Sequence, residues 1–191
     1  MTGIFKEPVN GRVAARGTTL DGDVQANPKV HGGFDKAVYA YAREDYDWWE
    51  GELERAMEPG TFGENLTTAG VDLNAALVGE RWRVGSTVLE VSEPRFPCFK
   101  LGHRMGTQRF VKQFGQARRT GTYLRIVEEG ELGAGDEIEV ESRPNHGVTI
   151  GLFADAYLGD RDRLEEVLTA DQISEEWRAK IADLLAKRRA A

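Results

Sequence analysis

The residues best suited to chemistry lie in the stretch 94–100, which reads Pro-Arg-Phe-Pro-Cys-Phe-Lys. It holds the only cysteine of the chain, Cys98, together with two of the six prolines and two cations. Because proline fixes φ and has no backbone N–H, the stretch is expected to leave the preceding strand as a stiff, exposed turn. Arg95 and Lys100 flank the cysteine, and nearby positive charge favours the thiolate, which attacks electrophiles and binds soft metals. The sequence therefore predicts a reactive thiol at Cys98, with a buried, inert thiol as the alternative.

Positive charge is concentrated around this stretch. Residues 95–127 contain eight arginines and lysines and no aspartate or glutamate, whereas the whole protein has a net charge of -7. A basic patch on an acidic molecule attracts a small anion or a phosphate group and disfavours large polyanions, so a nucleic-acid partner is not expected. The alternative is a solvated basic face without a ligand.

Further candidate residues lie earlier in the chain. Lys6 and Arg12 are candidate anion ligands near a predicted strand at 11–16, although exposed charges at a strand edge would also discourage aggregation. His31 precedes two glycines, whose backbone amides can approach a ligand closely, and its imidazole exchanges a proton near neutral pH. Glu64 and Asn65 belong to a turn, and their side chains either point into a cleft or cap that turn.

Composition predicts a protein of the reducing interior of the cell. A single cysteine excludes an intramolecular disulfide. The sequence has no recognisable leader and no apolar run long enough to span a membrane. We therefore expect a cytoplasmic protein without membrane contact.

The pattern of short strands predicts a mainly β fold with helices. About seven strands separated by glycine-rich turns favour a closed or nearly closed β-barrel over residues 1–147. A helical stripe of Tyr46, Trp49, Leu53 and Met57 predicts one helix within this domain. From residue 148 onward the periodicity is helical, which predicts a small C-terminal subdomain over 148–191, packed on the barrel or on a second subunit of a homodimer.

Four motifs together resemble the MOSC family, which is named after the C-terminal domain of molybdenum cofactor sulfurases. They are Lys-Glu-Pro-Val at 6–9, His-Gly-Gly with Asp-Lys-Ala-Val at 31–38, Gly-Glu-Asn-Leu at 63–66, and the cysteine stretch at 94–100. Their order and spacing are similar to the YiiM-like branch, whose C-terminal helical appendage has a Trp-Arg helix like 177–178 here. The loop 18–23 departs from the family, which commonly has a glycine before the leucine.

The resemblance implies a cofactor and roles for the candidate residues. It implies that Cys98 binds the molybdenum of a pterin cofactor, as in family members that reduce N-hydroxylated substrates such as hydroxylamino-purines. Purified protein need not retain that cofactor. His31 and Asn65 would then orient metal ligands or substrate. The residues expected to contact the cofactor are Arg95, Lys100, Lys6, Lys36, Glu64 and Arg12.

Three functions remain open from the sequence. The first is a molybdenum-cofactor-dependent reductase, which needs a small-molecule substrate and an electron-donor protein. The second is a sulfur carrier that forms a persulfide on Cys98 and receives sulfur from a donor such as a cysteine desulfurase. The third is a noncatalytic sensor of a phosphorylated metabolite, in which the basic pocket binds the ligand without help from the thiol.

Overall fold

The computed structural model describes residues 3–25 and 32–190, and it contains nine strands in two sheets. The predicted strand at 11–16 is present and begins one residue later, at Arg12. The strands are β1 (Arg12–Arg16), β2 (Thr19–Leu20), β3 (Val38–Ala42), β4 (Leu66–Thr68), β5 (Arg81–Val84), β6 (Thr87–Pro94), β7 (Thr122–Glu128), β8 (Gly130–Gly133) and β9 (Ile138–Ser142).

The two sheets are joined by one continuous stretch of chain. The six-stranded sheet has the order β4-β3-β7-β6-β5-β9, and the three-stranded sheet has the order β2-β1-β8. Only Glu129 separates β7 from β8, so the chain passes directly from one sheet into the other. Register shifts between β6 and β7 increase the twist, and the larger sheet curls into a half-barrel. The prediction of a mainly β, barrel-like fold with helices is confirmed.

Within the described residues, six α-helices and two short 3₁₀ helices accompany the sheets. The 3₁₀ helices are Phe34–Lys36 and Arg161–Arg163. The α-helices are α1 (Arg43–Leu53), α2 (Phe99–Arg104), α3 (Arg109–Ala117), α4 (Ile150–Leu158), α5 (Leu164–Val167) and α6 (Glu175–Arg189).

Helix α1 is shorter than the sequence pattern predicts. Tyr46 and Trp49 are buried on its inner face, as expected. Glu54 adopts the left-handed conformation with φ 50°, which ends the helix after Leu53. Met57 is therefore outside the helix, although its side chain is buried.

The C-terminal helices share one hydrophobic core with the larger sheet. Val91 of β6 belongs to the same cluster as Phe153 of α4 and both Trp177 and Ile181 of α6. The helical subdomain thus packs on the half-barrel of its own chain. The domain boundary at 147/148 and a homodimer through the helical end stay predictions.

A second core lies around α1 and α3. It is rich in aromatic rings, with Tyr41 stacked on Phe62 at a centroid distance of 4.2 Å and Trp49 packed on Phe110 at 4.8 Å. This core supports one side of the cavity described below. No helix in the described part of the chain combines the length and the apolarity that a membrane crossing requires.

Candidate functional site

A cavity of about 90 Å³ brings together segments that are distant in sequence. Its wall is built by the N-terminal segment, the turn after β2, strand β3, the turn before β4 and the cysteine stretch. Six of the predicted site residues line it: Cys98, Asn65, Arg95, Lys100, Lys6 and Lys36.

The cysteine stretch leaves the sheet as predicted. Strand β6 ends at Pro94 and helix α2 begins at Phe99, so Cys98 precedes the helix in an extended conformation, with φ -136° and ψ 167°. The Cys98 side chain is partly exposed. The stretch is anchored by the ring of Phe96, which packs against Tyr157 at 4.6 Å and Trp177 at 5.0 Å between centroids. The C-terminal helices therefore help to fix the cysteine.

Arg95 is buried, which the prediction of an exposed turn did not anticipate. Only 5% of its surface is exposed, and its Nη1 atom has no hydrogen-bond partner among the described residues. Instead, the guanidinium carbon lies 5.7 Å from the centroid of the Tyr39 ring and 5.3 Å from that of Phe114. The charge is thus enclosed by aromatic rings and not by carboxylates.

The neighbouring tyrosines do not neutralise Arg95 at neutral pH. Burial raises the pKa of Tyr39 well above its ordinary value, although Arg95 acts in the opposite direction. Burial likewise raises the pKa of Tyr123 to about 12, again against the effect of Arg95. Both phenols stay protonated. Because a buried charge without a counter-charge is unfavourable, the arrangement suits an anion that enters the cavity.

Lys6 lies in a polar network with Asp23 and Asn65. The ammonium of Lys6 donates to Asp23, and the amide nitrogen of Asn65 donates to the same carboxylate at 2.7 Å. Burial alone would raise the pKa of Asp23, but the hydrogen bonds from Lys6 and Asn65 outweigh it and lower the pKa. The Asn65 carbonyl accepts from the Tyr39 N–H at 2.9 Å, which fixes the side chain to β3. Lys6 is therefore a neutralised cation.

Asp23 is a cavity residue that the sequence did not reveal. The pattern Asp-Gly-Asp at 21–23 predicts a turn, and a turn is present there. Nothing in that pattern distinguishes Asp23, which lines the cavity, from Asp21, which is exposed. Tyr39 and Tyr123 were likewise not predicted to line the cavity, because alternating apolar strands give no sign of which residues reach it.

Lys36 connects the cavity to the C-terminal helices. Its ammonium nitrogen lies 3.3 Å from Oε1 of Glu93 and 3.8 Å from Oε2 of Glu176, at the start of α6. Glu93 is buried, which raises its pKa, while Lys36 acts to lower it. Lys100 forms no ion pair with any residue in 3–25 or 32–190. Arg95 and Lys100 are thus the cavity cations without a described carboxylate partner.

Two predicted cofactor contacts are not at the cavity. The carboxylate of Glu64 turns inward and accepts hydrogen bonds from the Tyr46 hydroxyl and from the Gly60 N–H, the latter at 2.6 Å. Burial has the largest effect on the Tyr46 hydroxyl and raises its pKa, and the nearby Glu64 carboxylate raises it further. Arg12 lies on the smaller sheet, and its guanidinium donates to Asp136 at 3.0 Å. Both side chains therefore stabilise turns. His31, the remaining predicted site residue, lies outside the described residues.

Gly63 explains part of the motif that contains Glu64. It has φ 83°, a conformation that L side chains rarely adopt. A Cβ atom at this position would lie 2.8 Å from Cγ1 of Ile4. The motif therefore lets the N-terminal segment pack closely against the turn and form the cavity wall.

The basic block at 95–127 is less concentrated at the cysteine than its sequence suggests. Three of its arginines pair with carboxylates and are absent from the cavity wall. The pairs are Arg118 with Asp155 at 2.8 Å, Arg119 with Asp45 at 2.6 Å, and Arg125 with Glu90 at 2.8 Å. Each carboxylate comes from a distant part of the chain, so the sequence pattern could not show the pairing.

The described residues do not form a metal site of their own. No group of three or more His, Cys, Asp or Glu side chains in the described ranges is arranged to hold a metal ion. The cavity instead offers one soft ligand, the sulfur of Cys98, beside groups that bind anions. This combination suits a metal that arrives with ligands of its own.

Comparisons with known proteins show the family of this chain. Residues 27–139 match the family model described as the MOSC domain. The chain is 37% identical over 181 residues to protein YflK of Bacillus subtilis (strain 168), covering 93% of this chain and 82% of that protein. It is 35% identical over 147 residues to a protein of Gibberella moniliformis (strain M3125 / FGSC 7600) named "Reductase", covering 74% of this chain and 26% of the relative.

A solved structure shows the same fold. The crystal structure of YiiM from Geobacillus stearothermophilus matches with a TM-score of 0.83 and 27% sequence identity, covering 96% of this chain and 89% of that one. The chain belongs to the MOSC family. Its fold, including the C-terminal helices, is YiiM-like.

Proposed function

We propose that this protein is a molybdenum-cofactor-dependent reductase of N-hydroxylated small molecules such as hydroxylamino-purines. The observation that carries the proposal is the buried guanidinium of Arg95, which lines the same cavity as Cys98 and has no described carboxylate partner. A bound anionic group would supply the negative charge. Membership of the MOSC family and the relative named as a reductase support the assignment.

The residues present fit such a cofactor. A thiol is a suitable ligand for a soft metal centre, and guanidinium and ammonium groups suit phosphate or other oxyanions.

Each cavity residue would have its own role in binding the cofactor or the substrate. Cys98 would bind molybdenum, and Arg95 and Lys100 would hold anionic groups. Asn65 uses one amide hydrogen on Asp23 and has a second hydrogen left to orient a substrate. When bound, the cofactor supplies two-electron redox chemistry at molybdenum.

Metal content of protein made in a molybdate-supplemented host tests this function. The wild type should contain molybdenum near one equivalent and reduce a hydroxylamino-purine, whereas Cys98→Ala should contain at least ten times less metal. Arg12→Met serves as a control, because Arg12 lies on the smaller sheet away from the cavity, and it should retain the metal. Absence of molybdenum from the wild type, or an unchanged content in Cys98→Ala, would refute the proposal.

A sulfur carrier is the second candidate, and partial exposure of the Cys98 thiol favours it. Mass spectrometry after incubation with a cysteine desulfurase would then show one added sulfur atom on Cys98. The reductase proposal expects an unmodified thiol under conditions that label a known acceptor. Binding of a phosphorylated ligand that survives Cys98→Ala would instead indicate a sensor.

A further inference from the structure

Helices α2 and α3 form a basic surface next to the cavity. Arg104, Arg109 and Lys112 form no ion pair with any residue that the structure describes. Cations elsewhere on the molecule commonly do, as in the pairs of Arg43 with Asp47 and of Arg83 with Glu141. The protein as a whole has a net charge of -7, so this positive surface stands out from the rest of the molecule.

The same surface exposes two large aromatic side chains. Phe99 is 68% exposed and Phe5 is 50% exposed, the former next to Cys98 and the latter next to Lys6. The guanidinium carbon of Arg104 lies 4.6 Å from the centroid of the Phe5 ring, so the two residues belong to one patch. Leaving such rings in water is unfavourable, and rings of this kind between arginines are typical of protein interfaces.

Helices α2 and α3 lie next to each other where they begin. The Gln108 amide donates to the carbonyl of Phe99 at 3.0 Å, which fixes the start of α3 against the start of α2. Arg109 and Lys112 are three residues apart on the outward face of α3, opposite the buried Phe110. We call Phe5, Phe99, Arg104, Arg109 and Lys112 the α2–α3 patch.

Charge complementarity decides which partner fits the patch. Unpaired cations around exposed aromatic rings favour a protein with an acidic face and speed its association at low salt. A second copy of this chain docked symmetrically would place the same unpaired cations against each other, so self-association through this patch is disfavoured. The patch therefore suits a small acidic protein.

We propose that the α2–α3 patch docks an acidic electron-transfer protein that carries a reduced flavin or an iron–sulfur cluster. This inference rests on the proposed reductase function. Reduction of R–NH–OH breaks the N–O bond, takes up two electrons and two protons, and yields R–NH₂ and water. The two electrons come from one docked protein with a fully reduced flavin, or one at a time from two successively docked proteins with a reduced iron–sulfur cluster. Because α2 starts directly after Cys98 and spans only about 9 Å, a carrier docked there lies close to the cavity.

The test compares two double variants with the same change in charge. Arg109→Glu/Lys112→Glu reverses the patch, whereas Arg16→Glu/Arg161→Glu reverses two exposed cations on β1 and on the C-terminal 3₁₀ helix. The probe is a reduced acidic flavodoxin, with a hydroxylamino-purine as substrate. Reversal of the patch should lower kcat/KM for flavodoxin at least tenfold, and the control should change it less than threefold. Wild-type kcat/KM should fall steeply with added salt.

Two further measurements separate docking from catalysis. Turnover driven by reduced methyl viologen should be unchanged in both double variants, because this small reductant needs no docking surface. Calorimetric titration with flavodoxin should detect binding to the wild type and not to the patch variant. Absence of flavodoxin binding to the wild type, or equal losses in the two double variants, would overturn the docking proposal. Absence of turnover with methyl viologen would overturn the reductase function instead.

Discussion

Arg95 and Arg125 are both buried arginines, yet their surroundings differ. Arg125 donates to Glu90 at 2.8 Å and to Asp35 at 2.7 Å, and its third contact is the carbonyl of Gln172 at 2.8 Å. Arg95 has no described carboxylate partner and leaves Nη1 without a hydrogen bond. Arg125 is neutralised by the protein itself, whereas Arg95 lacks a carboxylate partner at the wall of a cavity.

The difference separates a structural charge from a binding charge. A buried charge with complete hydrogen bonding links the elements around it, and its removal leaves the partner carboxylates unpaired. A buried charge without a partner is unfavourable by itself and becomes favourable only when an anion binds. Burial alone would not have distinguished the two residues, since both are less than a tenth exposed.

The largest effect is expected for Arg125→Met. The substitution removes the shared partner of Glu90 and Asp35, and loss of one member of a buried ion pair costs about 3–5 kcal/mol. We expect about 3 kcal/mol less stability in urea unfolding, at the lower end because Arg81 still contacts Glu90 at 2.9 Å. Arg81→Met is the matched control, and with its half-exposed side chain it should cost less than about 1 kcal/mol. Equal losses for the two variants would break the comparison.

A smaller and different effect is expected for Arg95→Met. Replacing an unpaired buried cation by an apolar side chain of similar length removes a desolvation penalty, so stability should change by less than about 1 kcal/mol. Binding of molybdate, measured by calorimetry, should weaken at least tenfold, since a charge-assisted hydrogen bond contributes about 1.5–3 kcal/mol. Arg95→Lys should retain part of the affinity. A large loss of stability with unchanged molybdate binding would make Arg95 a structural residue like Arg125.

The smallest effect is expected for the ion pair of Lys6 with Asp23, which lies at the cavity like Arg95 but is neutralised like Arg125. The pKa of Asp23 is lower in the folded protein than the ordinary carboxyl value, so its contribution is complete above about pH 4 and is lost as the pH falls through the folded value. In urea unfolding from pH 6 to pH 2, Asp23→Asn should be less stable than the wild type near pH 6, with the gap closing at low pH.

Asp21→Asn is the control for this experiment. Asp21 lies in the same turn, is exposed, and its carboxylate has no hydrogen bond to a described residue. The variant should follow the wild type over the whole pH range. A gap that widens as the pH falls would contradict the lowered pKa of Asp23.

Sequence patterns predicted helices and strands well where the signal lies within the element itself or in the turn beside it. Helix α6 is capped by Ser174, whose hydroxyl accepts from the Trp177 N–H at 3.3 Å, and a serine followed by Glu175 and Glu176 is a local signal for such a start. Strands β5 and β6 pair in an antiparallel hairpin, and the residues Gly85 and Ser86 between them are a local signal for its turn. Strands β2 and β4 were not delimited, because two or three residues give no usable period and such strands form only through pairing with a neighbour.

The sequence predicted part of the lining of the cavity, and the roles of those residues stay predictions. Cys98, Arg95 and Lys100 are adjacent in sequence and therefore reach one cavity together. Glu64 has the residue type of a ligand, but Tyr46, eighteen residues away, directs it inward. No local pattern records such a contact.

The sequence by itself determined the kinds of groups available: one thiol held between prolines, a run of cations without acids, and a helical C-terminal region. Only the tertiary structure decided which of those cations lack a counter-charge. The physical reason is that carboxylates neutralise charge across space, as Asp35 does for Arg125 from 90 residues away. Pairing at that separation depends on how the sheets and helices pack, and in this fold it leaves Arg95 without a carboxylate partner at the cavity it shares with Cys98.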